Sequence, residues 1–505
     1  MKKVILYVLV AGMLFGAFVP AVNVCAAVET IQSNQSWYSA EAKEHHLETV
    51  NDLFGFLAMV QGEWDDFSGD TVYLDADITV NDTDLSDLSQ VDTNGSVGWT
   101  DIGSKNFAGT FDGNGHTISG IYYETTQDHG GLFGKPNGLS ATVQNLAIVN
   151  SCIVSFGKNV GSIFGYISRC TNGINLSNLY VDVDIYATSS SLANCGGLIG
   201  NRKDTGTITV NSCVYAGTMR VSDSAGNCNI GGLVGKAGSD LTVTDSGAYG
   251  AIESKNGTIG GIVGSCSKAL TVEHCIVATE ISTESQTAAA LYGTQTGSVT
   301  LTNNLYTIES IRPIPTSDTS VPGQYSVVSM DSLHGLGTMT LLTKHGFTNW
   351  KARLKNFAVP KSLIKMTGVK PQAITAADST KLVGYQLSKV DNGKFSLRLV
   401  AVVDSLQYSA VGFQVNAVNE TIGEKSRTQD CTTVYDSLNG YIHGTVRVDY
   451  TAEELGGAYI FALNINNIPI NVGKIAFEAN TYHIQNGITT QDGTVRFELD
   501  TDQIS

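Results

Sequence analysis

A five-residue phrase recurs six times in this 505-residue chain and leaves few folds open to it. It reads GGLFG from Gly130, GSIFG from Gly161, GGLIG from Gly196, GGLVG from Gly231, GGIVG from Gly260 and, worn, AALYG from Ala289. The closing glycines Gly134, Gly165, Gly200, Gly235, Gly264 and Gly293 are spaced by 31, 35, 35, 29 and 29 residues. Such a period belongs to stacked arrays, in which each unit buries its apolar face only against its neighbours. Glycine at the ends of each phrase permits positive φ and close approach to the next unit. A phosphate cradle would need a following helix with Gly-Lys-Ser/Thr or GxGxxG, and the phrases have neither.

A second phrase follows each first one: ATVQNLAI from Ala141, INLSNLYV from Ile174, ITVNSCVY from Ile208, LTVTDSGA from Leu241, LTVEHCIV from Leu270 and VTLTNNLY from Val299. Apolar and polar residues alternate, then the apolar positions step by three, which is a strand interrupted by a corner and not a helix. Stacked in register, the phrases give an apolar column, Val143, Leu176, Val210, Val243, Val272 and Leu301. A second column holds Leu146, Leu179, Cys213, Ser246, Cys275 and Asn304. Between them runs a polar column of Asn145, Asn178, Ser212, Asp245, His274 and Asn303, residue types suited to a tight bend. This pattern predicts an all-β chain built on a parallel β-helix.

The first 27 residues, MKKVILYVLVAGMLFGAFVPAVNVCAA, have the basic start, apolar run and small-residue end of a secretory signal peptide. A second stretch long enough to span a bilayer is not evident. Val-Asn-Val before Cys25 matches poorly the small residues that precede a lipid-modified cysteine. A formal charge of −17 argues against nucleic acid or anionic membranes as partners. Eight cysteines follow the leader, without CxxC spacing, so neither zinc nor a cofactor is expected. Cys213 and Cys275 lie two units apart, too far for a disulfide, whereas Cys195 and Cys228 on adjacent units are the best-placed pair.

On the N-terminal side, residues 47–60 space apolar side chains like an amphipathic helix, and GDTVYLDADITV from Gly69 alternates like a strand. WTDIG from Trp99 and GTFDGNGHTISG from Gly109 follow, with Asp112-Gly-Asn-Gly forming a turn and His116 serving it. With the glycine phrases, these segments resemble the GLUG-motif repeat proteins, secreted or surface β-helix proteins of bacteria, over about residues 47–366. Residues 339–363, MTLLTKHGFTNWKARLKNFAVPKSL, resemble that family's closing segment. The resemblance implies a right-handed parallel β-helix with an N-terminal helical cap. It carries no catalytic residue, because such repeats occur in surface proteins and adhesins and also in some secreted peptidases.

From about Val369 the chain changes character. KFSLRLVAVVD, AVGFQVNAV, GTVRVDYT, AYIFALNINNIPI and GTVRFELD alternate strongly between polar turns, which predicts a C-terminal β-sandwich. The expected organisation is a signal peptide at 1–27, a cap and first coils at 28–127, and repeat coils at 128–310. A closing cap at 311–368 and a sandwich module at 369–505 complete it. Arg398 and Tyr408 are residue types that could line a sugar site there.

Enzymatic chemistry finds little footing. Asp182 and Asp184 alternate on one strand and Asp65 and Asp66 adjoin, but neither pair sits in a pectinase-like series, and His-Glu-x-x-His and Gly-x-Ser-x-Gly are not seen. His45-His46 reads as a solvated lead-in to the first helix. The expectation is therefore a secreted or cell-surface, non-catalytic protein that binds glycans or host or matrix proteins. The weak ligand-binding residues are Asn145, Asn178, Asp245, His274 and Asn303 along the polar column, with Arg398 and Tyr408. A polysaccharide lyase or glycoside hydrolase is the alternative.

Overall fold

Period-two alternation drives one side of every strand inward, and successive coils satisfy their backbones by parallel pairing with the coil before. In the computed structural model this produces one long face. Its rungs are Glu44–Leu47, Thr71–Leu74, Thr110–Asp112, Ser140–Ser155, Gly173–Ala187, Ile208–Tyr215, Leu241–Thr244, Leu270–Glu273 and Val299–Thr302, in that order. The structure describes residues 31–85, 98–99, 107–136, 138–203, 206–285, 287–307, 312–315, 325–328, 333, 338–353, 356–366, 369, 380–390, 394–403, 410–420, 423–431, 459–469, 471–485 and 487–502. The expected leader and Tyr408 lie outside them. Two shorter parallel sheets close the glycine-phrase coils, a four-stranded one from Asn159–Gly161 to Thr258–Gly260 and a five-stranded one from Phe164–Ile167 to Tyr292–Gln295. Val143, Leu176, Val210, Val243 and Val272 stand in register and are fully buried. Each such aliphatic contributes roughly 1.5–3 kcal/mol by leaving water.

The three-residue step between the two apolar columns has a single cause. Asn145, Asn178, Ser212, Asp245, His274 and Asn303 all hold left-handed backbone, with φ between 48° and 54°. One such residue per coil reverses the alternation, so Val143 and Leu146 both face inward. Asn and Asp enter this conformation at lower cost than most residues, which accounts for most of the column.

The glycine phrases form the corner between the two shorter sheets, and space rather than φ decides them. Among the six closing glycines only Gly134, at φ 59°, uses positive φ. Elsewhere one coil's backbone lies against the next: a β-carbon on Gly200 would stand 2.5 Å from the Gly165 carbonyl oxygen, and one on Gly235 would stand 2.5 Å from that of Gly200. Just ahead of this corner runs a ladder invisible to hydrophobic patterning. Asn194 Nδ2 donates to Asn159 Oδ1 at 2.7 Å, and Asn229 Nδ2 donates to Asn194 Oδ1 at 2.9 Å.

The helix Val50–Gln61 starts at a capping box, with Thr49 Oγ1 accepting from Asp52 N–H and the Asp52 carboxylate accepting from Thr49 N–H. Its buried Leu53, Phe56, Leu57 and Met59 join the same core as the coils. The ring of Phe56 meets Phe107 and Phe111, Phe111 meets Phe133, and Phe133 meets Phe164. His45 departs from the sequence reading: strand alternation turns it inward, where it is 1% exposed among Trp37, Tyr38 and Phe67. His46, one residue on, points out to Asp75.

The closing segment, expected as a cap, takes a different path. Its described residues run back along the outer side of the long face as a strap. Leu342, Phe347, Trp350 and Ala358 cluster with Ile276, Ala278 and Leu305 of the later coils. Val359, Leu363, Met366 and Val369 cluster with Ala147 and Val214 of the earlier ones. Tyr249 lies between, stacked on Phe357 at 4.5 Å and donating to the Ala358 carbonyl. The reason is an outward apolar row at the second turn of each coil, with Ala147, Tyr180, Val214, Gly247, Ile276 and Leu305 in register.

Beyond the strap, the described strands Thr380–Val390, Lys394–Val403 and Tyr459–Pro469 form one antiparallel sheet, and Ala410–Asn419, Gly423–Cys431, Lys474–Gln485 and Ile488–Asp500 form a second. Phe395, Leu397 and Leu399 of the first and Phe413, Val415 and Ile475 of the second belong to one buried cluster.

The glycine corner makes a direct prediction. Gly235→Ala should cost about 3 kcal/mol, because overpacking here meets backbone rather than movable side chains. Thermal unfolding should show a midpoint several degrees below that of the parent, whereas Gly226→Ala, whose β-carbon meets nothing within 4 Å, should leave it unchanged.

Candidate functional site

The outer side of the long face divides at the left-handed corner. Past the corner, the strap covers the apolar row. Ahead of it stands an outward row of Thr142, Asn175, Thr209, Thr242, Thr271 and Thr300, one per coil and in register. These side chains are partly or fully exposed, carry no charge and present a hydroxyl or amide at every rung, at a spacing of ~4.8 Å. Sequence reading missed them, although each is the second residue of its phrase. Alternation marks each one as outward, but only register joins the six into a row.

The corner residues themselves are engaged along the stack. Asn145 Nδ2 donates to Asp112 Oδ1 at 2.9 Å, and Asn178 Nδ2 donates to Asn145 Oδ1 at 2.9 Å. Asp245 is buried and accepts from Asn349 Nδ2 of the strap at 2.7 Å. The His274 carbonyl accepts from Trp350 Nε1 at 3.1 Å, while its ring meets Phe347 edge-on and approaches Asn303 Nδ2 at 3.4 Å. The column is thus split between bonds from coil to coil and bonds to the strap.

Beyond the second turn, the long face carries its charges beside an open furrow of about 640 Å³ lined by Arg220, Glu253, Lys255, Glu280 and Glu284 among others. Arg220 pairs with Asp184 at 3.2 Å and Glu253 at 3.4 Å, and lies over the Tyr186 ring. Asp184 also accepts the backbone N–H of Thr218 at 2.8 Å. Asp182 sits at a bulge in the strand pairing. Burial, and then the charge of Asp184, push its carboxyl above the ordinary value. The two carboxylates therefore differ in character: one holds its proton more tightly than usual, the other bridges a cation and a backbone amide.

The remaining candidates are placed as follows. His116 lies 3.2 Å from Asp77, in the turn where Asp112 accepts the Asn114 N–H. Asp65 and Asp66 each accept a backbone N–H two residues on, and Asp65 also accepts from Tyr38 Oη at 2.6 Å. Cys195 and Cys228, the best-placed pair for a disulfide, are both free and buried: in register Cys195 meets Ile230, two residues beyond Cys228. Burial raises the thiols of Cys152, Cys213 and Cys275 to about 12 and that of Cys228 to about 11, which suppresses their thiolate forms. Arg398 is only 6% exposed, so it does not stand on an open sugar-facing surface. Among the described residues, no group of three or more His, Cys, Asp or Glu is arranged to hold a metal ion, and no helix is long and apolar enough to cross a membrane.

No known protein-family profile matches the chain. Over 175 residues it is 29% identical to halomucin from Haloquadratum walsbyi, a match covering 34% of this chain and 2% of halomucin. The chain therefore spans a small fraction of that relative's length. A solved structure from Bacteroides ovatus, provisionally described as an immunoglobulin A1 protease, superimposes with a TM-score of 0.43 and 16% identity over 63% of this chain and 92% of that one.

The state of Asp182 is open to measurement. Its value in the folded chain lies above the unfolded one, so the folded state prefers the protonated form. The associated stability is present at low pH and is lost as pH rises from the unfolded value, about 3.9, through the folded one. Asp182→Asn should raise the unfolding midpoint at pH 7 by a few degrees and leave it unchanged at pH 3.

Proposed function

We propose that this chain is a secreted or cell-surface, non-catalytic protein of the GLUG-repeat kind. Its right-handed β-helix is a rod that presents a ligand-binding face, and its terminal β-sandwich is a separate module. The ligand is a glycan or a protein at the host or matrix surface. The observation that carries this reading is the uncharged row from Thr142 to Thr300, which offers a partly or fully exposed hydroxyl or amide at each of six successive coils while the other half of the face is covered by the chain's own strap. A row repeated at each rung suits an extended or repetitive ligand, each contact weak and the sum appreciable. The engagement of Asn145, Asn178 and Asp245 in bonds along the stack fits the same assignment, since it gives these polar groups a structural use.

One observation favours a second reading, a polysaccharide-active enzyme. Asp182, its carboxyl raised by burial and by the charge of Asp184, neighbours Asp184, which pairs with Arg220 on the wall of an open furrow, and glycoside hydrolysis requires two carboxyl groups of unlike character.

The test uses the full chain. Intact mass of the product recovered from the medium or the cell surface should show loss of residues 1–27. Binding to arrays of glycans, mucins and matrix proteins should be selective, and Thr209→Lys with Thr242→Lys and Thr271→Lys should reduce it at least about tenfold, as crowding and charge replace the row. Retained binding in that triple variant would move recognition off the row. Turnover of a polysaccharide that is lost in Asp184→Asn would install the second reading in its place.

A further inference from the structure

A stack of coils is quasi-one-dimensional: each coil touches only its neighbours, so it can fray from an end without disturbing distant coils. The strap breaks that rule. Its first part is buried against Ile276, Ala278 and Leu305, and its last part against Ala147 and Val214, in two distinct clusters. From the rung of Ala147 to that of Leu305 there are five steps, a rise of roughly 24 Å. Polar bonds pin the strap between these clusters. Trp350 Nε1 reaches the His274 carbonyl, Asn349 Nδ2 reaches Asp245, and Tyr249 Oη reaches the Ala358 carbonyl.

We propose that the strap is a clasp that couples the last coils of the rod to those of Ala147 and Val214 several rungs back and turns a fraying stretch of the stack into one cooperative unit. For the last coil to peel away, Leu305 must leave Phe347 and Trp350, and the far end of the same segment is held several coils back. Loosening that far end then frees the last coils as well. The consequence is directional: a defect at Leu363 is felt near residue 300, with which Leu363 shares no cluster. Release of the clasp also uncovers the outward apolar row, so a loosened rod gains a surface prone to self-association.

The experiment is native-state hydrogen exchange, read by mass spectrometry, on the full chain and on Leu363→Ala. Leu363 is fully buried and clusters with Ala147 and Val214. The expected result is exchange faster by ~10-fold or more over residues 270–307, in addition to any local change near 140–215. Acceleration confined to residues 140–215 and to the strap would overturn the proposal, because the strap would then be a passive cover. Val359→Ala removes less of the same cluster and tests the point should Leu363→Ala fold poorly. It should accelerate residues 270–307 by a smaller factor, and unaltered exchange there would count equally against the clasp.

Discussion

Backbone against backbone, at van der Waals limits, is the constraint on which this rod depends. Parallel coils must come within one strand spacing of each other at every face, including the glycine corner, where backbone bonds such as Leu198 N–H to the Leu233 carbonyl and Leu233 N–H to the Ile262 carbonyl draw one coil onto the next. At that corner the carbonyl oxygens of Gly165, Gly200 and Gly235 occupy the space where the next coil's glycine would carry a side chain. Remove that allowance in one coil and the coil above and the coil below must both shift, because nothing between them is compressible. The register of the long face, the burial of the valine column and the reach of the asparagine ladder follow from coils seated at this distance.

Much of this was legible from residues alone, for reasons that can be named. The valine column and the corner residues declared themselves because a left-handed residue must interrupt alternation, and because Asn and Asp tolerate that backbone. Three features were hidden. His45 looked like part of a polar run, yet strand alternation separates it from His46 and sends it into an aromatic pocket. The strap looked like an end cap because its aromatic residues signal burial but not against what. The row from Thr142 to Thr300 was overlooked because exposed β-branched residues in a strand are ordinary, and only register makes them a surface.

The polar groups sort by what surrounds them. Asn159, Asn194 and Asn229 are held in a ladder that satisfies one amide with the next, and Asn145 and Asn178 do likewise on the opposite corner. Arg220 answers two carboxylates from neighbouring coils, so charges that would repel along a strand are interleaved with one that attracts both. Such bonds run parallel to the axis of the stack and add to its cohesion at each step. The threonine row lies outside these networks, which is why it stands apart as a surface feature.

The seven cysteines of the repeat coils, Cys152, Cys170, Cys195, Cys213, Cys228, Cys266 and Cys275, bear on where such a molecule can persist. All are buried and none is bridged, and burial keeps the thiols protonated well above neutral pH. At these seven positions the fold neither needs an oxidant nor exposes a thiol to one, so their covalent state is the same inside a reducing compartment and outside it. For these residues, passage between the two compartments alters no bond, and the rod needs no thiol chemistry to assemble on either side.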